Sequence, residues 1–236
     1  MRKLLLTTAA VAAAIGLAGC SKKEPITYGT LSDERDGQTY RTVKIGEQTW
    51  MAQNLNYKTD NSWCNKKATY RCEDCKARIE EDTSYCDKYG RLYDWTTAMT
   101  ACPDGYHLPS RKEWGDLVKT AGGIGKYGTN GVSGYRLKAK RGWNENDYDG
   151  VIGNGTDDYG FSALPGGYHT NTIGEFGGYD DNIYAVGEVG YWWTATIDTL
   201  TSATYYRCMG NDFDDVTEVS GPIYISLSVR CVADRP

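Results

Sequence analysis

The side chains with the most chemical potential in this chain belong to its eight cysteines and two histidines. His107 and His169 are too few for a histidine-based metal centre or a charge-relay enzyme. Cys72 and Cys75 form one C-x-x-C pair, whereas a strong zinc signal needs two such pairs. The acidic residues between these two cysteines raise a thiol pKa, which disfavours redox chemistry. A zinc site is therefore the weaker alternative to disulfide bonds.

Carboxylates crowd the segment 211–218, in which Asp212, Asp214 and Asp215 are the calcium candidates. Hard oxygen ligands in a flexible loop suit Ca²⁺. The Glu-Pro-Asn and Trp-Asn-Asp motifs of calcium-dependent sugar-binding lectins are absent from the sequence. A solvated acidic loop is the competing interpretation, and the sequence predicts no cofactor besides this calcium.

Aromatic side chains give a second indication of binding. Tryptophan and tyrosine faces bury apolar area against a sugar ring and leave the sugar hydroxyls free to form hydrogen bonds. Trp192 and Trp193 are the candidate ligand-binding residues, because neighbours in a strand point to opposite faces. The alternative is that one of them packs in the core and the other under a loop. We expect a shallow, aromatic-lined site built by the segment 122–188 and the C-terminal strands.

No residue is assigned a catalytic role. The sequence lacks a Gly-x-Ser-x-Gly nucleophile elbow. The letters G-x-G-x-x-G at 123–128 follow a predicted helix instead of a strand, so they predict a loop. His107 lies two residues before Pro109 at a helix start, and we interpret it as a hydrogen-bonded structural histidine.

The first twenty residues predict export. Arg2 and Lys3 precede an apolar run from Leu4 to Ala18. As a helix this run would be about 22 Å long, short of the about 30 Å of a hydrocarbon core. The pattern is typical of a secretory signal that is removed from the mature protein.

Residues 17–20 (LAGC) resemble the lipobox of bacterial lipoproteins. The resemblance implies cleavage of a signal peptide spanning residues 1–19 and acylation of Cys20, which anchors the protein to a membrane. Ser21 after the cysteine favours the outer membrane, on its periplasmic or its surface face. Residues 20–30 then form a lipidated tether, and 31–236 form one domain.

The amino-acid composition limits the classes of protein and of binding partner that fit this chain. Hydrophobic residues are 40% and charged residues 24%, as in a folded domain. The net charge of −5 becomes −7 when Arg2 and Lys3 leave with the signal peptide. This acidity argues against a nucleic-acid partner and favours a neutral polysaccharide over an acidic one.

Seven cysteines follow Cys20, and disulfides are the default state in an oxidising envelope. Because seven is odd, at least one thiol stays without an intramolecular partner. The pairing of Cys72, Cys75 and Cys208 is not fixed by the sequence.

Local patterns predict an α+β fold with two short helices, small antiparallel sheets and long loops. Residues 40–45 and 48–52 flank a Gly-Glu pair and predict a hairpin. Asp94 precedes an apolar stripe and predicts a helix cap. Ser110 and Glu113 have the spacing of a capping box at the start of a second helix.

The rest of the chain carries weaker patterns. Residues 58–90 predict a disulfide-stapled loop, and 122–188 predict long loops rich in Gly, Asn and Asp. Residues 191–196, 203–209 and 225–232 predict the terminal strands.

Six stretches, in order, resemble the Fibrobacter succinogenes major paralogous domain family, over about residues 33 to 234. They are 36–46 (DGQTYRTVKIG), 49–57 (TWMAQNLNY), 89–93 (YGRLY), 102–110 (CPDGYHLPS), 155–165 (GTDDYGFSALP) and 228–232 (SVRCV). The resemblance implies a C-type-lectin-like fold, related to formylglycine-generating and sulfatase-modifying proteins. It also implies two disulfides, Cys64–Cys86 and Cys102–Cys231. The Cys72/Cys75 insertion and Cys208 depart from the family pattern.

These observations favour a lipid-anchored envelope protein that is a non-enzymatic binding module for neutral, plant-cell-wall-type glycans or a surface protein. The first alternative is an oxidase of the formylglycine-generating type. Those enzymes hold copper with two nearby thiols, and the corresponding stretch here carries Cys208 alone. The second alternative is a purely structural envelope protein.

Overall fold

The computed structural model describes residues 25–64, 66–70, 77–123, 131–146, 150, 153–173, 179–221 and 223–235. Within these ranges the chain is a mixed α+β structure that is mostly antiparallel sheet. The helices are α1 (Thr83–Tyr89), α2 (Trp95–Ala101), α3 (Arg111–Thr120) and α4 (Ser133–Leu137). The strands up to α3 are β1 (Tyr28–Ser32), β2 (Thr39–Ile45), β3 (Gln48–Met51), β4 (Ser62–Trp63), β5 (Lys66–Tyr70), β6 (Ala77–Glu81), β7 (Leu92–Asp94) and β8 (Tyr106–His107). The later strands are β9 (Tyr168–Ile173), β10 (Tyr179–Tyr184), β11 (Val189–Ile197), β12 (Thr204–Gly210), β13 (Thr217–Gly221), β14 (Ile225–Ser228) and β15 (Val232–Ala233).

A five-stranded sheet has the order β1-β2-β3-β15-β8. Its β2–β3 pair is the hairpin that the sequence predicts, with Val43 opposite Trp50. Gly46 in the turn has a φ of 61°, which a residue with a side chain rarely adopts. The C-terminal strand β15 pairs with both β3 and β8 and so joins the chain end to the first hairpin.

The larger sheet has the order β10-β9-β14-β11-β12-β13, and β7 also pairs with β14. Strands β11 and β12 confirm the predicted strands 191–196 and 203–209: β11 begins two residues earlier and ends one residue later, and β12 is shifted by one residue toward the C-terminus. Because β11 lies between β14 and β12, both of its edges are paired. The strand is therefore internal in the sheet, and Trp192, Trp193 and Thr194 at its centre are buried.

The two predicted helices are confirmed together with their caps. The Asp94 carboxylate accepts a hydrogen bond from the Thr97 N–H at 2.7 Å, at the start of α2. At the start of α3, the Ser110 hydroxyl and the Glu113 carboxylate form both bonds of the capping box. These caps satisfy backbone N–H groups that have no partner inside the helix.

Two segments predicted as loops contain regular structure. Residues 58–90 hold β4, β5, β6 and α1, and 122–188 hold α4, β9 and β10. Helix α1 has only seven residues, and it buries Tyr85, Cys86 and Tyr89. Elements this short lack a long apolar periodicity, so tertiary packing determines them.

The predicted strand 225–232 is divided between two sheets. Its first part, β14, lies in the larger sheet, and its last part, β15, lies in the five-stranded sheet. The residues between them, Val229, Arg230 and Cys231, are all buried. The chain thus crosses from one sheet to the other through the interior.

The structure contains both disulfides that the family resemblance implies. Cys64–Cys86 and Cys102–Cys231 have Cα–Cα distances of 5.6 and 5.9 Å. The second bond ties the end of α2 to the segment before β15. Among the described residues, Cys208 is the free cysteine, while Cys20, Cys72 and Cys75 lie outside them.

No helix within the described ranges combines the length and the apolar character that crossing a membrane requires.

Candidate functional site

Trp192 and Trp193, the predicted ligand-binding residues, are both completely buried. Trp192 packs with Trp114 in one core cluster, with ring centroids 6.2 Å apart, and Trp193 packs with Tyr206 in the other, at 5.6 Å. Their indole N–H groups donate to Asn54 and to the Tyr93 carbonyl. The expectation that either ring stacks on a ligand is therefore wrong. Both faces of β11 are covered at these two positions, so neither ring meets solvent.

A different set of aromatic rings does form a pocket on the larger sheet. The pocket has a volume of about 250 Å³, and all of its lining residues are uncharged. They are Tyr168, Tyr191, Tyr206, Tyr224, Ile225 and Leu227. We call this site the tyrosine pocket.

Adjacent strands bring these rings together. Tyr168 is on β9, Tyr191 on β11 and Tyr206 on β12, while Ile225 and Leu227 belong to β14 between them. Strands β9, β14, β11 and β12 are consecutive in the sheet. The lining is thus one continuous sheet face, drawn from segments far apart in sequence.

The rings brace one another edge to face. The Tyr191 ring lies 5.8 Å from Tyr168 at 89° and 5.9 Å from Tyr206 at 71°. Tyr184 stacks on Tyr168 at 5.5 Å. Such contacts are the preferred geometry of aromatic pairs, and they fix the pocket wall before any ligand arrives. Tyr224, by contrast, is 66% exposed at the rim.

Burial further favours the neutral form of two of the tyrosine hydroxyls. It raises the pKa of Tyr191 to about 12, and it also raises the pKa of Tyr206. Both hydroxyls are therefore protonated at neutral pH and can donate or accept hydrogen bonds. The pocket combines apolar ring faces with neutral polar groups and carries no charge of its own.

The calcium candidates do not form a metal site. Within the described part of the chain, no group of three or more His, Cys, Asp or Glu side chains is placed to hold a metal. Instead, the buried ammonium of Lys138 donates to the carbonyl oxygens of Gly210 and Phe213, each at 3.0 Å, and lies 3.7 Å from Asp214. The chain's own cation thus occupies this loop, while Asp212 is exposed and Asp215 is half-buried.

His107 has the structural role that the sequence predicts. Its Nδ1 lies 2.6 Å from an oxygen of Asp234, and its Nε2 lies 2.9 Å from Glu113. Glu113 is also the capping residue of α3, so the imidazole links this helix to the C-terminal segment. Burial opposes the charged imidazole, but the hydrogen bonds to both carboxylates outweigh it and raise the pKa of His107.

The free thiol of Cys208 is buried in β12. Burial raises its pKa to about 11, so the reactive thiolate is scarce at neutral pH. Tyr191 lies opposite it on β11. This environment is that of a structural cysteine.

The sequence predicts an aromatic-lined site at the segment 122–188 and the C-terminal strands, and the tyrosine pocket lies in this region but is lined by rings other than Trp192 and Trp193. The sequence signal for these rings is the abundance of tyrosine, 19 residues in the chain. Tyr191 is the direct neighbour of the predicted pair, while Tyr168 and Tyr224 reach the pocket through pairing of distant strands.

The structure thus defines the class of this protein: it is a mixed α+β domain with terminal antiparallel strands. The domain carries two disulfides and an uncharged aromatic pocket. The chain matches the Fibrobacter succinogenes major domain over residues 43–233 and belongs to that family. Comparison with curated proteins and with solved structures found no match.

Proposed function

We propose that this protein is a lipid-anchored, non-enzymatic binding module of a bacterial envelope, and that the tyrosine pocket binds neutral glycans. The observation that carries the proposal is the uncharged lining of the pocket, in which three tyrosines lie on one face of the larger sheet and Tyr224 lies at the rim. A sugar ring offers an apolar face for stacking and hydroxyls for the phenol oxygens. The C-type-lectin-like assignment of the fold, inferred from the family resemblance, belongs to the same proposal.

The anchoring part rests on the sequence. The apolar leader and the LAGC motif ending at Cys20 place an acyl group at the start of the mature chain, with the domain held at the outer membrane by a short tether. A glycan-binding domain held in this way would attach the cell or its envelope to neutral, plant-cell-wall-type polysaccharides.

Two observations weigh against the oxidase alternative. The thiol of Cys208 is buried and its pKa is raised, and a copper site of that type needs a second thiol close by. The other four cysteines of the described residues are joined in the two disulfides. Copper-dependent oxygen consumption by the purified protein would contradict the non-enzymatic assignment.

Calorimetry with neutral oligosaccharides tests the pocket. Tyr224→Ala removes the most exposed ring and should weaken binding by about fivefold or more, since a stacking contact contributes about 1 kcal/mol. Tyr135→Ala is the matched control, because Tyr135 is 41% exposed on α4 and does not line the pocket. Equal affinity of both variants, or no heat with any neutral glycan, would refute glycan binding at this site and favour a surface protein or a structural role.

A further inference from the structure

A second cavity, of about 240 Å³, lies beside the first hairpin and α1 and shares no lining residue with the tyrosine pocket. Its lining is polar and includes three basic side chains, Arg41, Lys88 and Arg230, against one acidic side chain, Asp87. The side-chain amides of the lining belong to Gln38, Gln53, Asn54 and Asn56. A locally positive cavity is unexpected in a chain whose net charge is −5.

Arg230 is the unusual member of this lining because it is only 1% exposed. Its Nε and Nη2 atoms donate to the Asn54 oxygen at 2.9 and 2.6 Å, and Nη1 donates to the Phe161 carbonyl. A guanidinium has five N–H groups. Each terminal nitrogen therefore keeps one N–H for which the described residues supply no acceptor.

The guanidinium of Arg230 has an aromatic partner but no carboxylate partner: its Cζ lies over the Phe161 ring, 4.4 Å from the ring centroid. No ion pair joins its guanidinium to a carboxylate in the described part of the chain. The carboxylate of Asp157 acts on it from a distance, but that group accepts two hydrogen bonds from Ser162, both at 2.7 Å. Burial lowers the pKa of Arg230 to about 9, so it is still a cation at neutral pH. Buried cations are normally paired with a carboxylate, whereas this one lies on an aromatic ring and its residue lines a cavity.

We infer that this cavity binds a hexuronic acid, with the sugar carboxylate on Arg230. The guanidinium fork matches a planar carboxylate and can hold it with two parallel hydrogen bonds. The side-chain amides of Gln53 and Asn56 suit the ring hydroxyls, whereas the amide nitrogen of Gln38 already donates to Asp36 and to the Asn56 carbonyl. The volume is below the about 300–1,000 Å³ of sites for drug-sized ligands, which restricts the occupant to one sugar unit. Arg41 and Lys88 are exposed at the rim, where they attract the anion.

The overall acidity of the protein does not oppose this assignment. Charges in solvent are screened beyond about 8 Å at physiological salt, so the basic groups of the cavity determine the local potential. The net charge of the chain disfavours acidic sugars at the protein surface as a whole. Inside the cavity, the nearby basic side chains matter more than this net charge.

The test is calorimetric titration of the full chain with glucuronate, glucose and inorganic phosphate. Glucuronate should bind, and in the Tyr224→Ala variant, where the tyrosine pocket is weakened, glucose and phosphate should each bind at least about tenfold more weakly than glucuronate, because only the uronate offers both carboxylate and hydroxyls. Lys88→Glu should lower glucuronate affinity by about threefold or more through charge reversal at the rim. Lys112→Glu is the matched control, because Lys112 is exposed on α3 and pairs with Asp116 outside the cavity.

Arg230→Lys, checked for folding by circular dichroism, should reduce affinity by about tenfold or more. If this variant does not fold, the exposed double variant Arg41→Gln/Lys88→Gln takes its place, with the same expected direction. The inference is wrong if glucuronate gives no heat, if phosphate binds as tightly, or if Lys88→Glu and Lys112→Glu bind equally. Tyr224→Ala should leave glucuronate binding unchanged. A negative result for the uronate cavity can therefore be distinguished from a negative result for neutral-glycan binding in the tyrosine pocket.

Discussion

The side-chain oxygen of Asn54 accepts two hydrogen bonds from the guanidinium of Arg230, at 2.9 Å from Nε and 2.6 Å from Nη2. The same oxygen accepts the indole N–H of Trp192 at 2.9 Å. The Asn54 amide nitrogen donates to the Tyr89 carbonyl at 2.7 Å and to the Ser228 hydroxyl at 3.2 Å. One buried amide thus connects the first hairpin, α1, β11 and the last segment of the chain.

Replacing Asn54 should be among the most destabilising single changes in the protein. Asn54→Ala leaves a buried cation and a buried indole N–H without their acceptor, and we expect a loss of about 3 kcal/mol or more in the free energy of unfolding. Urea denaturation followed by circular dichroism measures this loss. Asn61→Ala, at an exposed position, should change stability by less than about 0.5 kcal/mol. Similar urea midpoints for the two variants would contradict the conclusion that the hydrogen bonds of Asn54 stabilise the fold.

The Cys102–Cys231 disulfide closes a loop between residues separated by 129 positions. The chain-entropy treatment gives about 4.7 kcal/mol for a loop of about 100 residues, so Cys102→Ser/Cys231→Ser should lower stability by roughly 3–5 kcal/mol. Peptide mapping without reduction should recover this pair and Cys64–Cys86. Alkylation of Cys102 in the native protein would exclude the bond.

The imidazole of His107 gives stability that depends on pH. Because the folded-state pKa of His107 is raised, its contribution is complete below the unfolded-state pKa of about 6.5 and is lost as the pH rises through the higher folded value. Urea midpoints should fall as the pH rises above about 6.5, and His107→Gln should flatten this dependence. An NMR titration that placed the pKa of His107 below that of an unfolded histidine would reverse the sign and contradict the prediction.

Lipid anchoring predicts the behaviour of a single cysteine variant. Cys20→Ala removes the thiol that the lipobox resemblance identifies for acylation, so the protein should leave the membrane fraction after high-salt washing. Fractionation with immunoblotting detects this, and Ser21→Ala is a control that keeps the thiol. Retention of Cys20→Ala in salt-washed membranes would show that something other than this lipid holds the protein.

Short-range patterns determined the parts of the fold that sequence reasoning predicted correctly. The β2–β3 hairpin, the Asp94 cap and the Ser110–Glu113 capping box each depend on residues within a few positions of one another. The alternation of Trp192 and Trp193 across β11 is equally local. Local hydrogen-bonding geometry is encoded by neighbours in sequence, which explains why these features can be predicted without a structure.

The tertiary structure alone decided what those local elements pack against. Strand pairing places β14 on one side of β11 and β12 on the other, and packing on both faces buries both tryptophans. The same pairing brings Tyr168 to Tyr191, and the crossing between sheets brings Arg230 to Asn54, 176 positions away. Burial and long-range contacts depend on which distant segments become neighbours in the fold. The alternation of side chains along a strand is the same whether one face of the strand or both faces are covered, so it does not predict burial. For this reason the sequence predicted an aromatic site on the terminal strands, and only the fold determined which rings form it.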